Sequence, residues 1–119
     1  MTRTEFEASE KVLLGSLEPG TQYWFCSKLA YAVPAKGTLV ALGGNETALV
    51  IGDGDFLWDF PIKALVLPTG IKTNLDGKIV RRHTTGDKWH RVRLAAGKAG
   101  FYVKEDMGRD LSDAQDLPR

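Results

Sequence analysis

The groups able to do covalent or metal chemistry are few: one cysteine, Cys26, two histidines, His83 and His90, and four serines. A thiolate beside an imidazole base makes a nucleophilic dyad, and Cys26 with either histidine is the only such pair the chain offers. No charged residue adjoins Cys26 in sequence to activate it, so a small buried hydrophobe is the simpler reading. The chain has no nucleophile elbow, no phosphate-cradling Walker loop and no dinucleotide fingerprint. Asp53, Asp55 and Asp59 could offer carboxylates to calcium, but Gly52-Asp-Gly-Asp55 lacks the later glutamate and the ligand spacing of a calcium loop. Aspartate and glycine are ordinary turn residues there. A single cysteine excludes an intrachain disulfide and a zinc ribbon. The expectation is a protein with no catalytic residue, no metal and no cofactor.

The informative chemistry is electrostatic. Residues 78–93 hold Lys78, Arg81, Arg82, Lys88, Arg91 and Arg93 against Asp87 alone, a balance of +5 in a chain of formal net charge +1. Residues 1–19 and 20–60 each come to −2, and residues 105–119 to −3. Such segregation implies a local patch and not a bulk electrostatic partner. Residues 78–83 and 89–94 read as strands across Thr84-Thr-Gly-Asp-Lys88. Pairing Val80 with Val92 turns both valines inward and fixes the rest: Arg82 opposite His90, Arg81 opposite Arg91, His83 opposite Trp89, Ile79 opposite Arg93. Arg81, Arg91, Arg93 and Trp89 then share the outer face. Two arginines directly across a ladder repel unless solvent or an anion separates them. The same register sends His83 and His90 to opposite faces, so they cannot hold one ion.

The binding residues predicted from this ribbon are Lys78, Arg81, Arg82, Lys88, Trp89, Arg91 and Arg93. They suit an acidic protein surface or the acidic terminus of a second copy. The alternative is nucleic acid, with phosphates on the arginines and bases stacked on Trp89 at about 1–3 kcal/mol each. The plainer reading is a solvated outer strand face whose charge guards the sheet against unwanted pairing.

These side chains need a frame, and 119 residues with 43% hydrophobic and 26% charged content supply one domain's worth. No apolar run is long enough for a membrane-spanning helix, and the first seven residues are too acidic for a secretory leader. Thr4 followed by Glu7 is a capping-box pattern, and Phe6, Leu13, Leu14 and Leu17 form a helical stripe. Together they predict a helix within residues 1–17, ended by Glu18-Pro19-Gly20. Thr21-Gln-Tyr-Trp-Phe-Cys26 is apolar on both faces and reads as a strand that is central or covered on both sides. Residues 37–42 and 47–51 form a hairpin across Gly43-Gly-Asn-Glu46, and a second turn at 52–55 leads into residues 56–60. That meander puts Phe56, Trp58 and Phe60 on one face, which reads as a core face. Leu75-Asp-Gly77 turns into the basic ribbon, and residues 100–104 make a last short strand.

The predicted fold is mainly β, a small antiparallel barrel of SH3-like type or a compact sandwich with a short N-terminal helix. One β-rich domain spans 1–104, comprising a helix in 1–17, a meander in 21–67 and a basic hairpin region in 71–104. Residues 105–119 are expected to be an acidic, mobile tail.

Leu67-Pro-Thr-Gly-Ile71, Asp76-Gly-Lys78, Arg81-Arg82 and Trp89 together resemble a pattern in small β-rich proteins of bacteriophages and prophages. That resemblance implies an SH3-like barrel serving as an accessory or virion component, and it carries no catalytic residue. The function expected is therefore a non-enzymatic protein-interaction or assembly module, located in the host cytoplasm or the virion. A protein partner or self-association is expected, with nucleic acid as the alternative, and no membrane or small-molecule cofactor.

Overall fold

The computed structural model describes residues 1–9, 17–26, 32–43, 47–61, 65–84 and 88–109. Its elements run α1 (Arg3–Ala8), β1 (Thr21–Cys26), β2 (Ala35–Leu42), β3 (Thr47–Gly52), a 3-10 turn (Asp53–Asp55), β4 (Phe56–Pro61), β5 (Leu65–Lys72), β6 (Ile79–Thr84), β7 (Lys88–Gly97) and β8 (Gly100–Arg109). The ladder β2-β3-β4-β6-β7-β8 returns to β2 and closes a six-stranded barrel. Among the described strands every pairing is antiparallel except β4 with β6, where Phe56 lies beside Arg81 and Leu57 beside Arg82. The fold is thus a small, mainly β barrel with a short helix.

Strand β2 is shared by two cores. Leu39 pairs with Val50 and Ala41 with Leu49, which leaves Val40 as an extra residue in β2. Leu39 and Val40 are adjacent yet both fully buried, because successive strand residues point to opposite faces and β2 is covered on both. Val40 joins Ile51, Leu57, Val80, Val92 and Leu94 inside the barrel. Leu39 joins Tyr23, Phe25, Ala48, Val50 and Phe60 on the outside of β3 and β4. That outer layer exists because β2 changes partners along one edge. Its first half, 35–38, pairs with β1, which in turn pairs with β5, whereas Ala41 pairs with Gly100 of β8. The strand predicted to be central or covered on both sides, β1, therefore has partners on both edges and buries Tyr23 and Phe25 against the barrel's outer wall. Gly37 permits this close approach, since a Cβ there would stand 2.3 Å from Val50 Cγ1.

The lower end of the barrel is sealed by Leu75, which is 1% exposed. Gly77 N–H donates to Leu94 O at 2.8 Å, Leu94 N–H donates to Lys78 O at 2.9 Å, and Ala96 N–H donates to the Asp76 carboxylate at 3.2 Å. The predicted Leu75-Asp-Gly77 turn thus starts the basic ribbon by locking it to β7.

Two expectations shift. The capping box forms two residues early, with the Thr2 hydroxyl accepting from Glu5 N–H and the Glu5 carboxylate accepting from Thr2 N–H, both at 3.1 Å. The Thr-x-x-Glu spacing occurs twice in the first seven residues. Starting at Thr2 lets Phe6 sink to 1% exposure beside Cys26 while Arg3 pairs with Glu7 at 2.9 Å. Helix α1 ends at Ala8, and the predicted continuation through Leu13 and Leu14 falls outside the described residues.

The second shift matters more. The last strand does not stop at Lys104 but runs to Arg109, so residues 105–109 are ladder and not tail. Their register on β7 sets Glu105 opposite Arg93, Asp106 opposite Val92 and Arg109 opposite His90, and the Asp106 carboxylate reaches His90 Nδ1 at 3.3 Å. A composition that reads as solvated tail is here the cross-strand complement of a basic strand. Residues 110–119 fall outside the described residues.

Candidate docking groove on the outer barrel face

The hairpin register is the one the valines demanded. Val80 pairs with Val92, Arg81 with Arg91, Arg82 with His90, His83 with Trp89 and Ile79 with Arg93. Both valines are buried in the barrel, at 0% and 1% exposure. Arg81, Arg91, Arg93 and Trp89 consequently share the outer face, and Arg82 stands on the other side with His90. Lys78 lies just before β6, and Lys88 occupies the ladder position opposite Thr84. The turn at 85–87 falls outside the described residues.

The arginine pair across the ladder does not need an external anion. Arg81 reaches sideways and donates through Nε to Gly54 O at 3.1 Å and through Nη2 to the same carbonyl. Its guanidinium lies 4.2 Å over the Phe56 ring. The parallel β4–β6 pairing creates both contacts by setting Phe56 beside Arg81. Other cations are also answered internally. Lys78 Nζ lies 3.3 Å from Asp55 and Arg93 Nη1 3.8 Å from Glu105. The imidazole Nδ1 of His90 lies 3.3 Å from Asp106. The Asp106 carboxyl is held below its ordinary range, first by the Gly108 N–H that donates to it at 2.8 Å, then by His90 and Arg82. Lys78 and Arg93, two of the six cations of residues 78–93, thus face a carboxylate.

What the outer face offers instead is aromatic. Phe56, Trp58 and Phe60 lie outside the barrel and not in its interior, where Leu57 goes. Phe60 is buried under β1 against Phe25, with ring centroids 4.9 Å apart, and Trp58 is half-buried beside it at 5.0 Å. At Phe56 the stripe leaves the cover of β1 and meets Trp89 at 4.8 Å, with His83 stacked on Trp89 at 4.5 Å. The buried Trp89 Nε1–H has no acceptor among the described residues, an arrangement that costs about 1–3 kcal/mol.

At this margin of the cover a groove of about 360 Å³ opens between Ala35 and Lys36 at the start of β2 and the rings of Phe56, Trp58, His83 and Trp89. Gly52 keeps it open, because a Cβ there would stand 2.7 Å from Trp58 Nε1. Beyond Gly52 and Asp53 lies a second cavity of about 260 Å³, lined by Gln22, Thr38, Thr73, Asp55 and Lys78 among others. Lys36, Gly52 and Asp53 border both.

Of the predicted binding residues, Trp89 alone lines the aromatic groove, with Arg81 pinned at its side. Sequence reasoning missed Lys36, Phe56 and Trp58 as site residues. The Phe-x-Trp-x-Phe alternation was a signal, but its pairing partner β6 is non-adjacent and parallel, which no local pattern reveals. Cys26 packs with Phe6 and accepts a weak contact from Arg3 Nη1 at 3.8 Å, and β1 is separated from the histidine-bearing β7 by β2 and β8 in sheet order. Among the described residues no cluster of three histidine, cysteine, aspartate or glutamate side chains is placed to hold a metal ion, and no helix is long and apolar enough to cross a membrane.

No protein family, curated protein or solved structure matches the chain.

Proposed function

We propose that this protein is a non-enzymatic interaction module that docks a segment of a partner protein in the groove between β2 and the outer face of β4, β6 and β7. The observation that carries the reading is the half-buried ring cluster of Phe56, Trp58 and Trp89 left open at the edge of an otherwise complete core. Aromatic side chains in a partly covered concave site are the usual anchors of protein recognition. A protein partner is favoured over phosphate backbone because Lys78 and Arg93 already face carboxylates and the groove is lined mainly by rings. An SH3-like barrel acting by contact alone, in an accessory or assembly role of the kind found in phage proteins, is the setting that the turn and ribbon residues of 67–89 support.

The test is a photo-crosslinking amino acid placed at His83, an exposed position on the groove rim. A protein adduct formed in the source cell and lost in a Trp89→Ala background is the expected result. A nucleic-acid adduct, or a protein adduct that ignores Trp89, overturns the reading.

A further inference from the structure

One wall of the groove is backbone. On one edge β2 pairs with β1 from Ala35 to Thr38, but on the other edge β3 joins only at Thr38, opposite Ile51. Residues 35–37 therefore keep a main-chain edge that no described strand covers, and Ala35 and Lys36 carry that edge along the aromatic groove. An uncovered edge presents alternating N–H and C=O groups, a template that another extended chain completes.

The side chains around this edge are graded in the same direction. On one side lie the apolar rings of Phe56, Trp58 and Trp89, and on the other the hydroxyl and amide groups of Thr38, Thr73 and Gln22. Between them stand Lys36 and Asp53, which border both cavities. Among the described residues neither has an oppositely charged partner within ion-pair distance; the Lys36 ammonium rests 5.0 Å from the Trp24 ring centre. A cation and an anion bordering one groove offer a donor to a peptide carbonyl and an acceptor to a peptide N–H. They do not suit a phosphodiester, which offers only acceptors and negative charge.

Resting on the docking reading above, we infer that the groove takes an extended peptide as an added strand along residues 35–37 of β2. One large apolar side chain of that peptide enters the ring cluster, and a hydrogen-bonding side chain of the next residue enters the polar cavity. The cavities lie on opposite faces of β2, Gln22 and Thr38 on one and Ala35 with the rings on the other, so successive residues of an added strand read one pocket each. The occupant is a partner's peptide and not a second copy's edge strand. The free edge of β5 carries Pro68, which lacks an N–H, and β5 slips register against β1; β8 slips register twice against β7. The edges of β5 and β8 are therefore poor donors of a regular strand.

The probe is a random heptapeptide display library panned on the full chain. Recovered peptides should share a large apolar residue with a hydrogen-bonding residue directly beside it in sequence. Their synthetic versions should bind about tenfold or more weakly to Lys36→Glu and to Trp89→Ala. Lys36 is exposed, so its variant reports on the groove even where Trp89→Ala disturbs folding. N-methylating single peptide amides should abolish binding at alternate positions and be tolerated between them. Peptides that need Trp89 yet tolerate every N-methyl group overturn strand addition and leave the docking reading standing. A panel with no groove-dependent peptide, or preferential binding of a deoxythymidine decamer that Trp89→Ala removes, overturns both.

Discussion

The wall formed by β2, β3 and β4 and the ribbon formed by β6, β7 and β8 belong to one barrel but solve different problems. The wall has protein on both faces: Val40, Ile51 and Leu57 inside, Leu39, Val50 and Phe60 outside under β1. The ribbon has protein on one face only, with Val80, Val92 and Leu94 inside and cations outside. A wall buried twice gains rigidity from packing, whereas a ribbon buried once needs its outer charges matched. Those matches come from Gly54, Asp55 and Glu105, while Asp106 answers His90 on the other side of the ladder. The groove lies where the two regimes meet, at the last ring of the wall and the first ring of the ribbon.

The strongest way to break this contrast is to empty each core separately. Phe25→Ala should cost about 3–5 kcal/mol by opening the outer layer, and Leu94→Ala about 2–5 kcal/mol by opening the barrel interior. Both residues are buried to 2% exposure or less. Because β2, β3 and β4 serve both cores, each variant should still melt in a single transition that coincides by tryptophan fluorescence and far-ultraviolet circular dichroism. A second transition in Phe25→Ala would show that the arm of β1 and β5 folds apart from the barrel.

A smaller effect sharpens the role of the wall. Gly37→Ala drives a Cβ into Val50 Cγ1, with Phe25 ring carbons 3.3 Å away on the same side. Valine is stiff at χ1 and cannot swing clear, so overpacking of about 1–3 kcal/mol is expected in urea unfolding. Gly70→Ala is the useful contrast: there nothing lies within 4 Å, so its cost comes from its positive φ of 87° and not from crowding. Restoring Gly37→Ala with Val50→Ala should recover part of the first loss and none of the second.

The two regions were unequally legible in the sequence. In the ribbon, strict alternation left one register that buries Val80 with Val92, and every cross-strand neighbour followed from it. In the wall the same logic found the strands and their hairpins and put the aromatic stripe on a core face, where Phe60 and the Trp58 packed beside it do lie. It did not say which core, or that Phe56 leaves the cover. That depends on β1 and β5 lying over the outside of β3 and β4, a contact between distant segments that no run of alternating residues displays. Likewise, the acids of 105–109 look like solvent-bound residues until Glu105 is placed opposite Arg93 and Asp106 beside His90. Local patterns encode what a strand buries. They do not encode which distant strand neutralises it, so the groove, built from β2, β4, β6 and β7, could not be read from any one segment.

The gentlest perturbation tests whether the end of the ribbon depends on those matched charges. Asp106 is fully exposed, yet its carboxyl is held below the ordinary range by the Gly108 N–H, by His90 and by Arg82. A carboxyl depressed in the fold stabilises the fold fully above the ordinary aspartate range, about pH 4, and loses that contribution as pH falls through its folded value. Acidification should therefore loosen residues 105–109 before it touches the cores, read as faster amide exchange at Gly108 while Val80 and Val92 stay protected. Asp106→Asn should flatten the pH dependence at Gly108 and leave the melting of the two cores unchanged. Equal acid sensitivity at Gly108 and in the barrel interior would mean that the ribbon's surface charges hold up the whole fold, and the contrast between a twice-buried wall and a charge-matched ribbon would collapse.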